Sequence, residues 1–201
     1  MTNGNAMSAY CPHAATFLLM FAVLPVWIFA GLADYFCHRA SGIETTSGTK
    51  ESLLHLLQFS IIGLPVMMVL FLEVNAGVFA VAGFCILLHH AVAYWDVSYA
   101  NDTRNVSPLE QMVHSFLEII PIAAFFLLAV LYWPQLVALF GVGHDKARFI
   151  LTLKGVPLPP PYILVALGAA AVLNAGPYLE ELARCQRKAK SHSRAAGNSR
   201  G

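Results

Sequence analysis

Charged residues are scarce in this chain of 201 residues. Asp, Glu, Lys and Arg together make up 11% of the sequence, whereas a soluble domain carries about one quarter of such residues. Hydrophobic residues make up 58%, and the mean hydropathy is +0.64. This balance excludes an ordinary soluble domain and predicts an integral membrane protein. No charge run outside the basic C-terminal tail points to nucleic acid, so we expect no nucleic-acid partner.

Paired cysteine motifs are absent, and no Lys or Arg precedes the first hydrophobic segment. The four cysteines, Cys11, Cys37, Cys85 and Cys185, show neither a CxxC pair nor the spacing of a zinc site. We interpret them as free thiols or small apolar side chains. The stretch "MTNGNAMSAYCPHAA" lacks the Lys or Arg that begins a signal peptide, and no small-residue cleavage site follows the apolar run. The first hydrophobic segment is therefore predicted to be a membrane span.

Five apolar segments have the roughly 20 residues that a membrane-spanning helix needs. Their predicted limits are Ala14 to Phe36, Ser52 to Glu73, Ala76 to Trp95, Pro108 to Trp133 and Tyr162 to Tyr178. The predicted fold class is all-α, an integral membrane bundle of about five transmembrane helices. We predict a transmembrane domain over 1–183 and a basic, disordered cytoplasmic tail over 184–201. For the connection 134–161, the sequence allows a short interfacial helix or an extended piece.

Basic residues are divided unevenly between the two sides of such a bundle. With five spans, the loops that hold Arg39, Lys50 and Arg104 lie on the same side as the basic tail, and the other side has fewer Lys and Arg residues. The positive-inside rule then predicts that the N-terminus lies outside the cell and the C-terminus in the cytoplasm.

Ionisable side chains collect at four helix ends that this topology places at the cytoplasmic face. They are Asp34 and His38 at the end of the first span, Glu51 and His55 at the start of the second, His89, His90 and Asp96 at the end of the third, and Glu110, His114 and Glu118 at the start of the fourth. Most partners within a helix are four or seven residues apart and therefore share one helical face. Helical bundles build dinuclear metal sites in this way. All ten residues are predicted metal ligands, in a polar cluster at the cytoplasmic ends of helices 1–4.

The mixture of side chains favours two iron ions. Carboxylates neutralise and bridge cations, whereas neutral imidazoles favour iron, zinc or copper over magnesium. We predict Glu118 and Glu51 as the catalytic carboxylates. At a di-iron centre Glu118 would shift its coordination to open a position, and in a hydrolase either residue would act as general base.

Simpler roles are open for some of these residues. Glu110 follows Ser107 by three positions and completes a capping box. Side chains near helix ends, such as Asp34, can also reach the membrane interface. His55 and His114 lie deeper, where an unpaired ionisable group is costly. A shared polar interior explains these deeper residues better than independent surface positions do.

Three segments carry a resemblance to known proteins. Together, "DYFCHRASGIETTSGTKESLLH", "HHAVAYWDVSYA" and "SPLEQMVHSFLEIIP" resemble a family of small bacterial multi-pass membrane proteins over most of residues 20–185, without implying an activity. Histidine clusters at cytoplasmic helix ends are similar in layout to membrane-bound di-iron fatty acid desaturases and hydroxylases. Their HxxxH and HxxHH boxes are not matched, because Ile86 stands where a histidine would precede His89. The resemblance implies a di-metal site in a bundle of the bacterial cytoplasmic (inner) membrane.

These observations lead us to expect a membrane-embedded oxidoreductase with two iron ions. Its substrate would be a lipid or another membrane-dissolved molecule, and its electrons would come from a cytoplasmic or quinol donor. Two alternatives stay open. One is a zinc-dependent membrane lipid hydrolase of the ceramidase-like type. The other is a non-enzymatic protein that transports metal ions or protons or binds haem.

Overall fold

The computed structural model describes residues 12–198 and has the predicted all-α architecture. The helices are α1 (Pro12–Ser41), α2 (Gly48–Phe71), α3 (Ala76–Thr103), α4 (Pro108–Leu131), α5 (Trp133–Leu139) and α6 (160–198). All of them except the short α5 are long and apolar enough to cross a membrane, so this is a multi-pass membrane protein. The predicted bundle of five spans is confirmed. Cys11 and the last three residues of the predicted tail lie outside the described residues.

The spans are packed so that consecutive helices run antiparallel around a shared interior. Helix α2 packs along α3, α1 packs along α4, and the C-terminal half of α6 packs against α2. The 3₁₀ turn Ile43–Thr45, between α1 and α2, also contacts α6. This order places the end of α1, the start of α2, the end of α3, the start of α4 and the second half of α6 at one end of the bundle.

Helices α1 and α6 approach each other closely at Gly31. A Cβ atom at this position would collide with Nδ2 of Asn174. Asn174 Nδ2 donates to the carbonyl oxygen of Ile28 at 3.0 Å, and the Tyr178 hydroxyl donates to the carbonyl oxygen of Gly31 at 3.3 Å. Asn174 lies in the π-helical turn Ala171–Ala175 of α6. The absence of a side chain at Gly31 therefore lets two polar groups of α6 reach the backbone of α1.

Residues 184–198 are helical, although the sequence predicted a disordered tail. Helix α6 continues through them without a break. The bundle holds only the first two residues of this segment, whereas the side chains of 186–195 are exposed. Cys185 is buried, and Arg184 forms an ion pair with Glu44 beyond the end of α1. These contacts extend the helix past the predicted end of the last span.

The connection between α4 and α6 contains both kinds of structure that the sequence allowed. It begins with the short helix α5 and continues as an extended segment that pairs with the connection between α2 and α3. The Glu73 amide donates to the carbonyl oxygen of Thr152 at 2.9 Å, and the Lys154 amide donates to that of Phe71 at 2.9 Å. This segment covers the end of the bundle opposite to the ionisable residues.

Candidate metal centre

Five helices contribute to one group of buried ionisable side chains, which we call the polar cluster. It consists of Asp34 and His38 from α1, Glu51 and His55 from α2, Asp96 from α3, Arg104 just after α3, Glu110 and His114 from α4, and Glu181 from α6. The His114 side chain is 12% exposed, and those of the other members are at most 4% exposed. The antiparallel order of the spans brings these residues to one end of the bundle, as the sequence predicted for helices 1–4.

Asp34, His38 and His114 point ligand atoms at one another. Asp34 Oδ1 lies 3.0 Å from His114 Nε2 and 3.4 Å from His38 Nε2. All three atoms are buried, yet within residues 12–198 none of them has a hydrogen bond of acceptable geometry. Two ligands of one ion lie about 3.0–3.4 Å apart when each bond to the metal is about 2.1 Å long. The three atoms therefore fit ligands that face a common cation.

His38, Glu51 and His55 form a second group of candidate ligands. In this group, as in the first, one ligand atom from each residue lies within 4.8 Å of the others. His55 Nε2 also lies 3.1 Å from Asp96 Oδ2, and Gln58 Nε2 donates to the same Asp96 oxygen at 3.0 Å. The two groups share His38, so they lie side by side. Because a ring nitrogen binds only one ion, His38 would serve one of two neighbouring cation positions, and the other would depend on the remaining imidazole and carboxylate ligands.

Glu181 lies behind two of the histidines. Its Oε2 is 3.2 Å from His38 Nδ1, and its Oε1 is 3.1 Å from His55 Nδ1. A carboxylate can only accept hydrogen bonds, so this contact places the protons on the two Nδ1 atoms and leaves Nε2 of each ring as a free ligand. Carboxylates commonly orient metal-binding histidines in this way.

The sequence prediction missed Glu181 because the last span was ended at Tyr178. A usable signal was present in the spacing. Asn174, Tyr178 and Glu181 are separated by four and three residues, so they share one face of the helix. In a five-span topology this face reaches the same end of the bundle as the predicted cluster.

Arg104 is the second member of the cluster that the sequence did not place there. Its Nε donates to Glu51 Oε2 at 3.2 Å, its Nη1 donates to Glu110 Oε2 at 2.9 Å, and Nη2 contacts both carboxylates. Burial acts to lower the pKa of Arg104, but the hydrogen bonds to Glu110 and Glu51 raise it, so the guanidinium stays charged. By its position in the sequence, Arg104 is indicated only as a basic loop residue.

Glu110 has two structural roles at the start of α4. The hydroxyl oxygen of Ser107 accepts a hydrogen bond from the Glu110 amide at 3.2 Å, which confirms the predicted cap. The carboxylate does not complete the capping box by turning back, because it points inward to Arg104 and lies 3.3 Å from His38 Nε2. The predicted capping position is therefore a central member of the polar cluster.

The remaining predicted ligands lie around the cluster. His89 is buried, and neither of its ring nitrogens has a hydrogen-bond partner within the described residues. His89 and the half-buried Glu118 line a cavity of about 40 Å³ together with Asp34, His55 and His114. His90 is directed elsewhere: its Nδ1 lies 2.8 Å from the Ile86 carbonyl oxygen, and its ring lines an outward-facing depression that also borders Glu118. The turn of about 100° between successive helical residues explains why His89 and His90 diverge.

The cavity of about 40 Å³ beside the cluster is called the polar cavity below. A second cavity, which is apolar, adjoins it. It has a volume of about 190 Å³ and extends from the middle of the bundle toward the end opposite to the polar cluster. Trp27 lines both cavities, and its ring stacks on Phe59 with centroids 6.1 Å apart. An aromatic pair therefore separates an apolar chamber from the candidate metal ligands.

Comparisons with protein-family models, with curated proteins and with solved structures gave no significant match to this chain. The chemistry of the site is consequently inferred from its own residues.

Proposed function

We propose that the polar cluster holds two iron ions and that the protein is a membrane-embedded oxidoreductase acting on a lipid or another membrane-dissolved substrate. The observation that carries this proposal is the charge of the cluster. Within the described residues, five buried carboxylates, those of Asp34, Glu51, Asp96, Glu110 and Glu181, accompany one buried guanidinium. With neutral histidines, four negative charges are left in a region where an uncompensated charge is expensive. Two divalent cations would balance them.

The ligand chemistry supports iron. One position would be held by Asp34, His38 and His114, and the other by Glu51 and His55 of the second group, with Asp96 beside His55. Glu181 would orient the two stacked imidazoles, and Arg104 would hold Glu51 and Glu110. Mixed imidazole and carboxylate ligands suit iron, and helical bundles commonly carry paired irons on such sets. Bound iron would supply the redox chemistry with dioxygen, and the 40 Å³ cavity beside Glu118 offers room for a molecule of about water size.

A single zinc ion is the second candidate. It is favoured by the sharing of His38 between the two ligand groups, because one imidazole nitrogen binds one ion at a time. In this case Asp34, His38 and His114 would hold the zinc, and Glu118 at the edge of the cavity would act as general base. The protein would then be a membrane lipid hydrolase.

The bilayer position follows from the distribution of basic residues. We infer that the end of the bundle with the polar cluster faces the cytoplasm and that the N-terminus lies outside, because the loops and tail on that side carry most of the Lys and Arg residues. The membrane would be the bacterial cytoplasmic membrane. A cytoplasmic or quinol electron donor would then reach the cluster at the cytoplasmic side of the membrane.

Metal analysis of the purified protein tests the proposal. We expect about two iron atoms per chain, and we expect a chelator that removes them to lower the unfolding temperature, because the carboxylates then repel one another. One tightly bound zinc atom with no iron would overturn the di-iron proposal in favour of the hydrolase, and a Soret band would identify haem instead. A preparation free of all metals would mean that protonated histidines balance the charge and would overturn both metal proposals.

A further inference from the structure

The apolar cavity has the length of one leaflet of a bilayer. Its lining runs along α1 from Thr16 to Trp27, which at a rise of about 1.5 Å per residue corresponds to about 16 Å. The hydrocarbon core of a bilayer is about 30 Å thick, so one leaflet measures about 15 Å. The inner end of the cavity is formed by Trp27, Ile62 and Ile120, which pack together as a buried cluster. The cavity therefore matches the leaflet opposite to the polar cluster.

A single cationic side chain marks the other end of the cavity. Among the described residues that line it, Lys154 is the only charged one. Its ammonium donates to the Leu72 carbonyl oxygen at 2.9 Å, while neighbouring Glu73 accepts a hydrogen bond from the Gly155 amide at 2.8 Å. Burial lowers the pKa of Lys154, and the Glu73 carboxylate opposes this shift. An anionic group beside Lys154 would offset the cost of its partial burial.

The closed end of the cavity lies one aromatic layer from the candidate ligands. Trp27 faces the apolar cavity on one side and the polar cavity on the other, where Asp34 and His114 are also part of the lining. The end of a chain that fills the apolar cavity would therefore contact Trp27. The shape, the single cation and the closed inner end together describe a site for an amphiphile in one orientation.

We propose that this cavity binds the alkyl chain of a single-chain anionic lipid, a long-chain carboxylate, with its carboxylate at Lys154 and its methyl end at Trp27. The binding is independent of any metal. That the bound chain is the substrate rests on the proposed oxidoreductase function, since the methyl end is the part of the chain nearest to the polar cluster.

Fluorescence quenching of Trp27 tests the position of the chain. The chain has three tryptophans. Trp95 and Trp133 are exposed and can be replaced without disturbing the interior. The double variant Trp95→Phe, Trp133→Phe then has Trp27 as its only tryptophan. The purified variant is titrated with long-chain fatty acids brominated either near the methyl end or near the carboxylate. We expect strong quenching only with bromine near the methyl end. Stronger quenching with bromine near the carboxylate would overturn the proposed orientation.

Adjacent alanines of α4 provide a matched pair of variants. Ala124 lines the cavity, whereas Ala123 is exposed and does not. In the same background, Ala124→Phe is expected to weaken binding at least tenfold by filling the cavity, and Ala123→Phe is expected to leave it unchanged. Equal affinities for the two variants would place the chain on the outer surface of the bundle and overturn the proposal.

The charge at Lys154 is tested with a neutral ligand and two substitutions. Lys154→Met should weaken binding of the fatty acid about tenfold, as expected for a charge-assisted hydrogen bond, while Lys154→Arg should retain it. Binding of the brominated alcohol of equal length should be similar in all three proteins. If the acid and the alcohol bind wild-type protein equally, the anionic head group is excluded. Repeating the titration after chelation separates this proposal from the metal proposal, because quenching should persist without metal.

Discussion

The imidazole rings of His38 and His55 lie face to face, with centroids 4.2 Å apart and an angle of 6° between their planes. Two protonated rings at this separation would repel each other, whereas neutral rings can stack. The carboxylate of Glu181 contacts Nδ1 of both rings, so both Nε2 atoms face away from α6 toward the other members of the cluster. This relationship joins residues from α1 and α2 through one residue of α6.

Replacing Glu181 tests whether it orients metal-binding histidines. Glu181→Gln keeps the shape of the side chain but removes one of the two acceptor oxygens, so one histidine loses its partner. We expect a loss of metal affinity of about 10–100-fold, measured by titration of the metal-free protein. The neighbouring Glu180, which pairs with Arg39 and Tyr35 at the surface, provides the control. Glu180→Gln should bind metal normally, and equal losses in both variants would contradict the assigned role.

Replacing His114 should lower the iron content of the purified protein. Its Nε2 faces Asp34 Oδ1, and α4 brings no second histidine to the cluster within the described residues. We expect His114→Ala to contain at most about half of the wild-type iron, because one of two positions loses a ligand. His90→Ala should keep the full content, since that ring faces a different depression. Elemental analysis of both variants decides the matter, and equal iron contents would exclude His114 as a ligand.

Arg104 should be a major source of stability at the polar end of the bundle. Removing the only buried guanidinium of the cluster leaves Glu51 and Glu110 facing each other without compensation, and breaking a buried ion pair in this way costs about 3–5 kcal/mol. We expect Arg104→Met to lower the unfolding temperature in detergent markedly. Arg39→Met removes an exposed ion pair with Glu180, which is worth about 1 kcal/mol or less. Similar shifts in the two variants would be inconsistent with a buried Arg104.

The close approach at Gly31 gives a prediction that does not depend on metal. A methyl group there would displace Asn174 from its hydrogen bond to Ile28, and such overpacking costs about 1–3 kcal/mol. Gly31→Ala should therefore lower the unfolding temperature. A methyl group on Gly63 in α2 would meet no atom within 4 Å, so Gly63→Ala should leave the temperature unchanged or raise it slightly. The proposed packing fails if Gly31→Ala is as stable as Gly63→Ala.

Local patterns carried most of the information about the fold. Hydropathy over windows of about 20 residues depends only on neighbouring residues, so all five spans were predicted from the sequence. Helical spacing of acids and histidines likewise indicated which faces carry ligands, and seven of the ten predicted ligands belong to the polar cluster. The helical tail beyond residue 183 was not predicted, because composition records charge but not contacts such as the Arg184–Glu44 ion pair or the burial of Cys185.

The positions of single side chains depend on contacts between helices. Glu118 and Glu110 have the same helical spacing from His114, yet Glu118 lies at the edge of the cavity and Glu110 at the centre of the cluster, bound by Arg104. Spacing along one helix cannot distinguish them, because the distinction comes from which neighbour each one meets.

Local hydropathy and helical periodicity are enough to establish that this chain has five membrane-spanning segments and gathers acids and histidines at one end of them. They are not enough to show that Glu181 joins His38 to His55, that Arg104 lies between two carboxylates, or that an apolar cavity ends at Trp27. These three features arise from the packing of residues far apart in the chain, so they emerge only when the helices are assembled.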